Sequence, residues 1–354
     1  MLSNSEAKPA PPVLAEALQP SPAHAARDGR LAFAPGGPPR LAVIVDTEEE
    51  FDWSQPFTRT SRSVQSIAAQ SRAQDIFDRY GVRPTYVVDQ CVIESDKAVE
   101  TLSAFRDAGA AEIGAHLQPW VNEPYLETVN DRNTLQCNLP EEIERAKMQS
   151  LTAGIAEQFG ASPRVFKAGR YGYGPSTTDI LLDLDYEIDC SFVPYTDYRR
   201  VHGPSFLGVP DQPFWIDRGR KLMEAPLSRG FCGAFAGAGP SLAGLFDSAF
   251  WTRIHVGGVL ARTGLLERVT LTPEGVGADA QIRLMETMMR RGATVFTLTY
   301  HSPSLEPGYT PYVRDRADLD DFLGVIEKVC KWFADQPGAR FTTLSDLRRD
   351  ARAL

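Results

Sequence analysis

The chain has 354 residues, of which 43% are hydrophobic, enough for one large core or two modest ones. Its formal net charge of −9 argues against a broad basic surface for nucleic acid. The five cysteines lie far apart and form no C-x-x-C pair, which argues against a disulfide framework or a structural zinc knuckle. We expect buried free thiols in a reducing compartment.

Residues 1–39 are rich in proline, alanine and glycine. Such a composition buries too little apolar area to order a segment, so we expect a disordered tail. The tail lacks the basic start and the continuous apolar stretch of a secretory signal. The chain also has no run of about 18 apolar residues. The sequence therefore predicts a cytoplasmic protein without a membrane span.

From residue 40 onward, short apolar runs alternate with longer amphipathic ones, which is typical of repeated βα units. The predicted strands are Leu41–Asp46, Pro84–Val88, Ala111–His116, Arg164–Ala168, Tyr186–Cys190, Thr294–Tyr300 and Phe341–Thr343. The predicted helices are Ser61–Tyr80, Lys97–Ala108, Pro140–Phe159, Ser176–Leu184, Gln281–Arg291 and Asp318–Gln336. The alternation loosens between Tyr198 and Gly277, where Asp217–Arg220 predicts a hairpin turn. The pattern predicts an α/β protein, a single (β/α) barrel over residues 40–354 with about seven strands.

A dense group of carboxylates follows the first predicted strand. Its members are Asp46, Glu48, Glu49, Glu50 and Asp52. Residues two apart on an extended strand point the same way, so Asp46 and Glu48 can reach one pocket. We expect the cluster to contain a metal or acid–base site, and Glu49 and Glu50 to be solvated loop acids. Asp52 and Trp53 either line the cleft or brace the loop.

Four further polar clusters also follow predicted strands. They are 116–120, 169–174, 189–191 and 300–304. In a barrel the carboxyl ends of parallel strands converge on one mouth. We therefore expect these clusters to form one site with the acids after the first strand.

Together these segments resemble the polysaccharide deacetylase family, the NodB-like carbohydrate esterases, and within it the soluble WalW-type branch. The resemblance runs from about residue 41 to residue 347 and rests on four motifs: VDTEEEFDW (45–53), EIGAHLQPW (112–120), FKAGRYGYG (166–174) and YHSPSL (300–305). It implies a distorted (β/α) barrel. It also implies metal-dependent hydrolysis of an N-acetyl or O-acetyl group on a sugar or glycan.

The resemblance assigns a catalytic role to each of five residues. Asp46 takes the position of the base and His301 that of the general acid. Arg170 is expected to pair with the base and keep it ionised. Asp189 is expected to orient the acid, and the Tyr173 N–H to stabilise the oxyanion.

The same resemblance predicts a divalent metal, zinc in the first instance, held by Glu48, His116 and Gln118. Here the chain departs from the family, which usually has a second histidine shortly after the first. A glutamine carbonyl binds hard cations but is neutral and a poorer zinc ligand than imidazole. Either the site binds metal more weakly or metal and activity are both lost; we expect retained binding.

Three functional hypotheses follow. The first is a metal-dependent carbohydrate deacetylase. The second is a deformylase or amidase acting on a small C–N amide, because barrels of this kind change substrate through their loops. The third is a carbohydrate-binding relative with impaired catalysis. Specificity is expected between Tyr198 and Gly277. The candidate sugar-stacking aromatics are Trp120, Tyr195, Phe214 and Trp215, although most of these are expected in the core.

Overall fold

The computed structural model describes residues 30–247, 260 and 262–352. The strands of this part are β1 (Arg40–Thr47), β2 (Thr85–Val88), β3 (Glu112–Leu117), β4 (Val165–Ala168), β5 (Ile188–Asp189), β6 (Phe214–Trp215), β7 (Met223–Glu224), β8 (Arg229–Cys232), β9 (Glu267–Thr270), β10 (Val295–His301) and β11 (Arg340–Phe341). The helices of the same part are α1 (Gln70–Tyr80), α2 (Gln90–Ile93), α3 (Asp96–Asp107), α4 (Glu141–Phe159), α5 (Thr177–Asp183), α6 (Gly239–Phe246), α7 (Ala278–Arg290), α8 (Arg316–Ala334) and α9 (Leu344–Arg352).

A nine-stranded sheet forms the centre of the fold, with eight strands in the order β10-β1-β2-β3-β4-β5-β7-β6 and β11 beside β1. The strands from β10 to β7 run parallel, and β6 pairs antiparallel with β7. The near-continuous apolar sequence of β1 suits a strand covered on both faces. The predicted distorted (β/α) barrel with about seven parallel strands is confirmed, and so is the hairpin at Asp217–Arg220.

Within the described part of the chain, the outer edge of β10 has no neighbouring strand in the sheet and is bonded by side chains and by one loop carbonyl, that of Leu271, which accepts from the Thr299 N–H at 3.2 Å. Gln212 Oε1 accepts from the Val295 N–H at 3.0 Å, and Ser228 Oγ accepts from the Thr297 N–H at 2.9 Å. Farther along β10, Glu274 Oε1 accepts from the His301 N–H at 3.1 Å. Buried backbone donors need such partners, so these bonds stabilise an open edge. They also fix Glu274 beside the end of β10.

Glycines end two of the outer helices as the sequence predicts. Gly81 follows α1 with φ 67°, and Gly160 follows α4 with φ 73°, both in the left-handed region that glycine adopts without strain. The predicted start of the first helix at Ser61 is wrong, because α1 begins at Gln70 after a 3₁₀ turn. The reason is Glu50, which accepts from Ser63 Oγ and from the Ser66 N–H, both at 2.5 Å, and so holds this segment out of the helix.

The predicted disorder through residue 39 is wrong for the segment just before β1. Ala32 and Phe33 are buried, and the Ala32 N–H donates to the Pro213 carbonyl at 2.7 Å. The Arg40 guanidinium lies 4.9 Å from the centre of the Phe33 ring. The short apolar run at 31–34 therefore packs beside β6 despite its proline-rich surroundings. Residues 1–29 of the predicted tail lie outside the described residues.

The register of the sheet brings the polar strand ends together. Asp46 lies opposite His301, and His116 lies opposite Lys167. Asp189 lies opposite Glu224 on β7. All five cysteines lie within the described residues as buried thiols. Within those residues no helix combines the length and apolar character that a membrane crossing requires.

Candidate active site

Asp46, at the end of β1, is held by a buried lysine. Lys167 Nζ lies 2.5 Å from Asp46 Oδ1 and 2.7 Å from Oδ2, and it donates a further bond to Thr299 Oγ1 at 3.1 Å. Burial by itself favours the neutral carboxyl, but the charge of Lys167, with smaller contributions from His116 and His301, lowers the pKa of Asp46. Asp46 is therefore an ionised carboxylate at neutral pH.

The expected pairing of Arg170 with Asp46 is wrong. Arg170 lies in the loop after β4 with φ 51° and donates to the Asp131 carbonyl at 3.0 Å and to Thr134 Oγ1. Its guanidinium stacks over Phe57 at 4.6 Å. Because β4 ends at Ala168, the chain has already turned away from the barrel axis at Arg170, and Lys167 is the cation that points inward.

His301, at the end of β10, lies between two carboxylates. Its Nδ1 donates to Glu274 Oε2 at 2.7 Å, and its Nε2 lies 3.7 Å from Asp46 Oδ2. Burial disfavours the imidazolium, but Glu274 and Glu48 outweigh it and raise the pKa of His301 to about 10. The ring is one-fifth exposed, whereas Asp46 is almost fully buried, so His301 lies at the mouth of the site.

The expected contact of Asp189 with His301 is also wrong. Asp189 accepts from Ser191 Oγ at 2.6 Å and lies beside Glu224. Burial raises the pKa of both carboxyls, that of Glu224 well above its usual range, so the pair holds a proton. Asp189 thus joins β5 to β7, and Glu274 orients the imidazole.

Glu48, His116 and Gln118, the three expected metal ligands, lie in contact with one another. All three side chains are buried. His116 Nε2 lies 3.2 Å from Glu48 Oε2 and 3.3 Å from Gln118 Nε2, and Gln118 Nε2 also donates to Glu48 Oε2. His116 Nδ1 donates to the Lys167 carbonyl at 3.1 Å. The other ring nitrogen, Nε2, therefore keeps a lone pair, which faces Glu48 and Gln118.

This donor set fits a divalent cation. Two ligand atoms on a tetrahedral zinc ion lie roughly 3.3 Å apart, which matches the two separations around His116 Nε2, whereas Gln118 Nε2 and Glu48 Oε2 lie closer together and would have to move apart around an ion. Gln118 Oε1 is buried and has no hydrogen-bond partner among the described residues. A half-turn of the amide brings this oxygen to the place of Nε2, where it faces Glu48 and His116.

Glycine at position 169 makes room for the Gln118 amide. A Cβ built there would lie 2.5 Å from the Leu117 carbonyl and would collide with Gln118 Oε1. The first glycine of the loop after β4 therefore serves close packing against the candidate metal ligand.

Glu49 is fully buried, so its expected solvation is wrong. Its Oε1 accepts from Trp120 Nε1 at 2.7 Å, and its N–H donates to Asp89 Oδ2 at 3.1 Å. Ligand atoms of Glu49, Asp89 and Cys91 lie within 4.8 Å of one another, which makes this cluster a second candidate acidic metal site. Burial and the repulsion between the carboxyls raise the pKa of Glu49 well above its usual range. Without a cation the pair therefore holds a proton.

The expected oxyanion donor is already engaged. The Tyr173 N–H donates to the Tyr171 carbonyl at 3.0 Å, and the buried phenol contacts Thr178 Oγ1 at 2.6 Å. Tyr171, which precedes it, has φ 57°. The Tyr173 N–H is thus used within the loop after β4.

Sequence reasoning missed Lys167 and Glu274. Lys167 could have been identified from the sequence, because a lysine inside the apolar strand VFKA needs a buried partner. Glu274 could not, since it follows β9 in the irregular stretch and reaches His301 only through the fold. Three of the four predicted stacking aromatics (Trp120, Phe214 and Trp215) are buried in the core, the role expected for most of them.

No family model matches the chain, and no curated protein matches it. Solved structures share its fold. A candidate polysaccharide deacetylase from Mycobacterium smegmatis superposes with a TM-score of 0.53 at 15% identity, covering 91% of this chain and 94% of its own. A candidate polysaccharide deacetylase from Pseudomonas aeruginosa PAO1 gives 0.50 at 14% identity, covering 89% and 91%.

The α-amylase AmyC from Thermotoga maritima also superposes, with a TM-score of 0.50 at 11% identity, covering 88% of this chain and 74% of its own. Identities this low establish the fold, and a fold of this kind carries more than one chemistry. The narrower resemblance to the WalW-type branch stays a prediction. The chain has the fold of the polysaccharide deacetylases, the NodB-like carbohydrate esterases.

Proposed function

We propose that this protein is a hydrolase that removes an N- or O-acetyl group from a carbohydrate. The observation that supports this most strongly is the side-by-side placement of Asp46 and His301, whose Oδ2 and Nε2 atoms lie 3.7 Å apart. A fixed carboxylate beside a fixed imidazole at the mouth of a cleft is what general acid–base hydrolysis requires. The deacetylase fold adds support by analogy.

Asp46 acts as the general base in this proposal. Lys167 keeps it ionised and holds both oxygens, and Oδ2 is the oxygen that lies 3.7 Å from His301 Nε2. Its lowered pKa makes Asp46 a weak base. The attacking water must therefore be made more acidic before Asp46 can take its proton.

Glu48, His116 and Gln118 would hold the cation that meets this need. A divalent ion there, zinc by the family resemblance, would polarise the acetyl carbonyl and lower the pKa of a bound water. The neutral amide of Gln118 donates less charge than an imidazole, so we expect weaker binding than at a two-histidine site.

His301 acts as the general acid. With a pKa of about 10 it carries a proton at neutral pH, and Glu274 fixes its ring by bonding Nδ1. Nε2 is then the nitrogen that gives its proton to the departing amine or alkoxide. Asp46 and His301 thus have pKa values that are pushed apart, as two groups with opposite roles require.

The test uses the full chain, purified without chelator or nickel affinity. Metal content is measured by mass spectrometry, and acetate release is measured on acetylated xylan and chitin oligosaccharides. We expect bound divalent metal and acetate release, with both lost on chelation and restored by metal. Formate or ammonia in place of acetate would instead support the amidase alternative.

A second candidate is a carbohydrate-binding protein that does not turn its ligand over. The observation that favours it is the Gln118 amide, because Nε2 already donates to Glu48 and lies 3.3 Å from His116 Nε2. The Gln118 amide therefore serves as the partner of both acceptors, Glu48 Oε2 and His116 Nε2, without a cation. Sugar binding with neither metal nor product, together with a gain of both in Gln118→His, would support this candidate.

A further inference from the structure

Two exposed aromatic rings lie close to His301: Trp53 contacts the His301 ring, and Tyr312 contacts Trp53. Trp53 is 40% exposed and Tyr312 is 39% exposed. The Trp53 ring lies perpendicular to the His301 ring at 5.2 Å between centroids, and perpendicular to Tyr312 at 5.9 Å. Large aromatic side chains normally gain free energy by burial, so two exposed ones in contact at the mouth of a polar site need an explanation.

The Trp53 loop is braced to present its ring. Ser54 donates to Asp52 Oδ1 through its N–H at 2.9 Å and through Oγ at 2.7 Å. This turn places Trp53 at its apex. Phe51 stacks on Trp53 at 5.0 Å with an angle of 22° between the rings. Asp52, left undecided from the sequence, thus braces the loop.

The Tyr312 loop is tied to the same carboxylate that holds His301. Thr310 and Val313 pair across a tight turn that carries Tyr312. Thr310 Oγ1 lies 3.1 Å from Ser304 Oγ, which donates to Glu274 Oε1 at 2.6 Å. The position of Tyr312 is therefore linked, through Glu274, to the position of the acid.

The chemistry of the two rings selects one kind of occupant. A pyranose presents a flat face of C–H bonds with a rim of hydroxyls, so it stacks on an aromatic ring while its rim stays hydrated or hydrogen-bonded. Trp and Tyr supply such contact area with little loss of side-chain entropy. The rings lie next to the proton donor, where the sugar bearing the departing group must sit.

We infer that Trp53 and Tyr312 form an aromatic platform that binds a pyranose ring of the substrate beside His301, with one ring against the face of the sugar and the other, perpendicular to it, against the edge of the sugar. The inference rests on the proposed function, because it identifies the group next to the acetyl as a pyranose. It moves part of the sugar specificity from 198–277 to the loops after β1 and β10.

The test measures binding without turnover. The full chain is titrated with cellotetraose, xylotetraose and glucosamine tetrasaccharide, none of which carries an acetyl group, and followed by tryptophan fluorescence and calorimetry. The variants are Trp53→Ala, Tyr312→Ala and the ring-retaining Trp53→Phe and Tyr312→Phe. Phe235→Ala is the matched control, since Phe235 is 58% exposed and is not part of the platform.

We expect the wild-type chain to bind at least one of the three sugars. Trp53→Ala and Tyr312→Ala should each raise Kd about tenfold or more, while the ring-retaining variants stay within about threefold and Phe235→Ala binds as wild type. Binding of none of the sugars, unchanged Kd in both alanine variants, or an equal loss in Phe235→Ala would overturn the platform.

The outcome separates the platform from the proposed activity. If the alanine variants lose sugar binding but no acetate is ever released, the platform stands and the deacetylase proposal fails. If acetate is released and Trp53→Ala leaves KM for an acetylated oligosaccharide unchanged, the platform fails and the activity stands. If Trp53→Ala raises KM for the acetylated oligosaccharide by a larger factor than it lowers kcat, the result supports both the platform and the deacetylase activity.

Discussion

Lys167 Nζ bonds both oxygens of Asp46, at 2.5 Å and 2.7 Å, in the interior of the barrel. The contact joins the ends of β1 and β4, and both side chains are almost fully buried. An isolated buried charge is strongly destabilising, so each residue requires the other. The pair fixes the candidate base and contributes to the fold at once.

We predict that Lys167→Met destabilises the protein by about 3–5 kcal/mol, because it removes the cation that bonds both Asp46 oxygens and leaves only the more distant His301, at 3.7 Å, beside the buried carboxylate. Lys167→Arg should retain the pairing and most of the stability. Urea unfolding of the two variants measures the difference. Equal stability of Lys167→Met and wild type would show that the ion pair is dispensable.

Glu274→Gln should lower the pKa of His301, since it removes the carboxylate that contributes most to raising it. A protonated acid is needed for turnover, so activity should fall as pH rises through the His301 pKa of about 10. In Glu274→Gln this alkaline limb should move toward the ordinary histidine pKa of about 6.5. The pH profile of kcat/KM measures it. An alkaline limb at the same pH in both proteins would contradict the Glu274–His301 assignment.

We predict that the buried Glu144, which lies outside the candidate active site, makes the stability of the fold depend on pH. Burial raises its pKa to about 7, although Thr177 Oγ1 and Gln136 Nε2 donate to it. The folded state therefore binds this proton more tightly than the unfolded state, and stability falls as pH rises from about 4.5 to 7. Glu144→Gln removes this dependence, on the order of 2–3 kcal/mol over that range. The check is the free energy of unfolding in urea, measured for the wild-type chain and for Glu144→Gln at pH 5 and pH 8. The same change with pH in both proteins would contradict the prediction.

Gly169→Ala should disturb the candidate metal ligands and the end of β3 beside them. The added Cβ collides with Gln118 Oε1 and lies 2.5 Å from the Leu117 carbonyl, so the amide must shift. We expect metal affinity to fall about tenfold or more. Gly37→Ala is the control, because its Cβ would meet only ordinary contacts beginning at 3.6 Å. Competition with a metal-sensing dye measures affinity, and equal values in both variants would remove Gln118 from the ligand set.

The alternation of apolar runs predicted the barrel because parallel strands are buried on both faces, so each appears in the sequence as a continuous apolar run. The same reasoning placed Asp46, Glu48, His116, Gln118 and His301 together, since each lies at or just beyond a strand end. It failed for Arg170, where the strand had already ended, and for Glu49, whose burial depends on Trp120 and Asp89.

Pairings across the barrel could not be predicted in the same way. Glu274 reaches His301 from the loop after β9, and Asp189 finds Glu224 instead of the acid. Both contacts depend on the order β5-β7 and on the open edge of β10, which no local pattern encodes. A lysine in the apolar strand β4 was the one signal available, and it indicated only that a buried partner was needed; the structure identifies that partner as Asp46.

The central claim is that Asp46 and His301 act together as base and acid on an acetylated carbohydrate. The most direct measurement is kcat/KM for acetate release by Asp46→Asn, His301→Ala and the double variant, each with its metal content confirmed. We predict a fall of about a hundredfold or more in each single variant. The double variant should fall little further than the worse single one, because the two residues act as a unit. Full activity in either single variant, or losses that multiply in the double variant, would contradict the account.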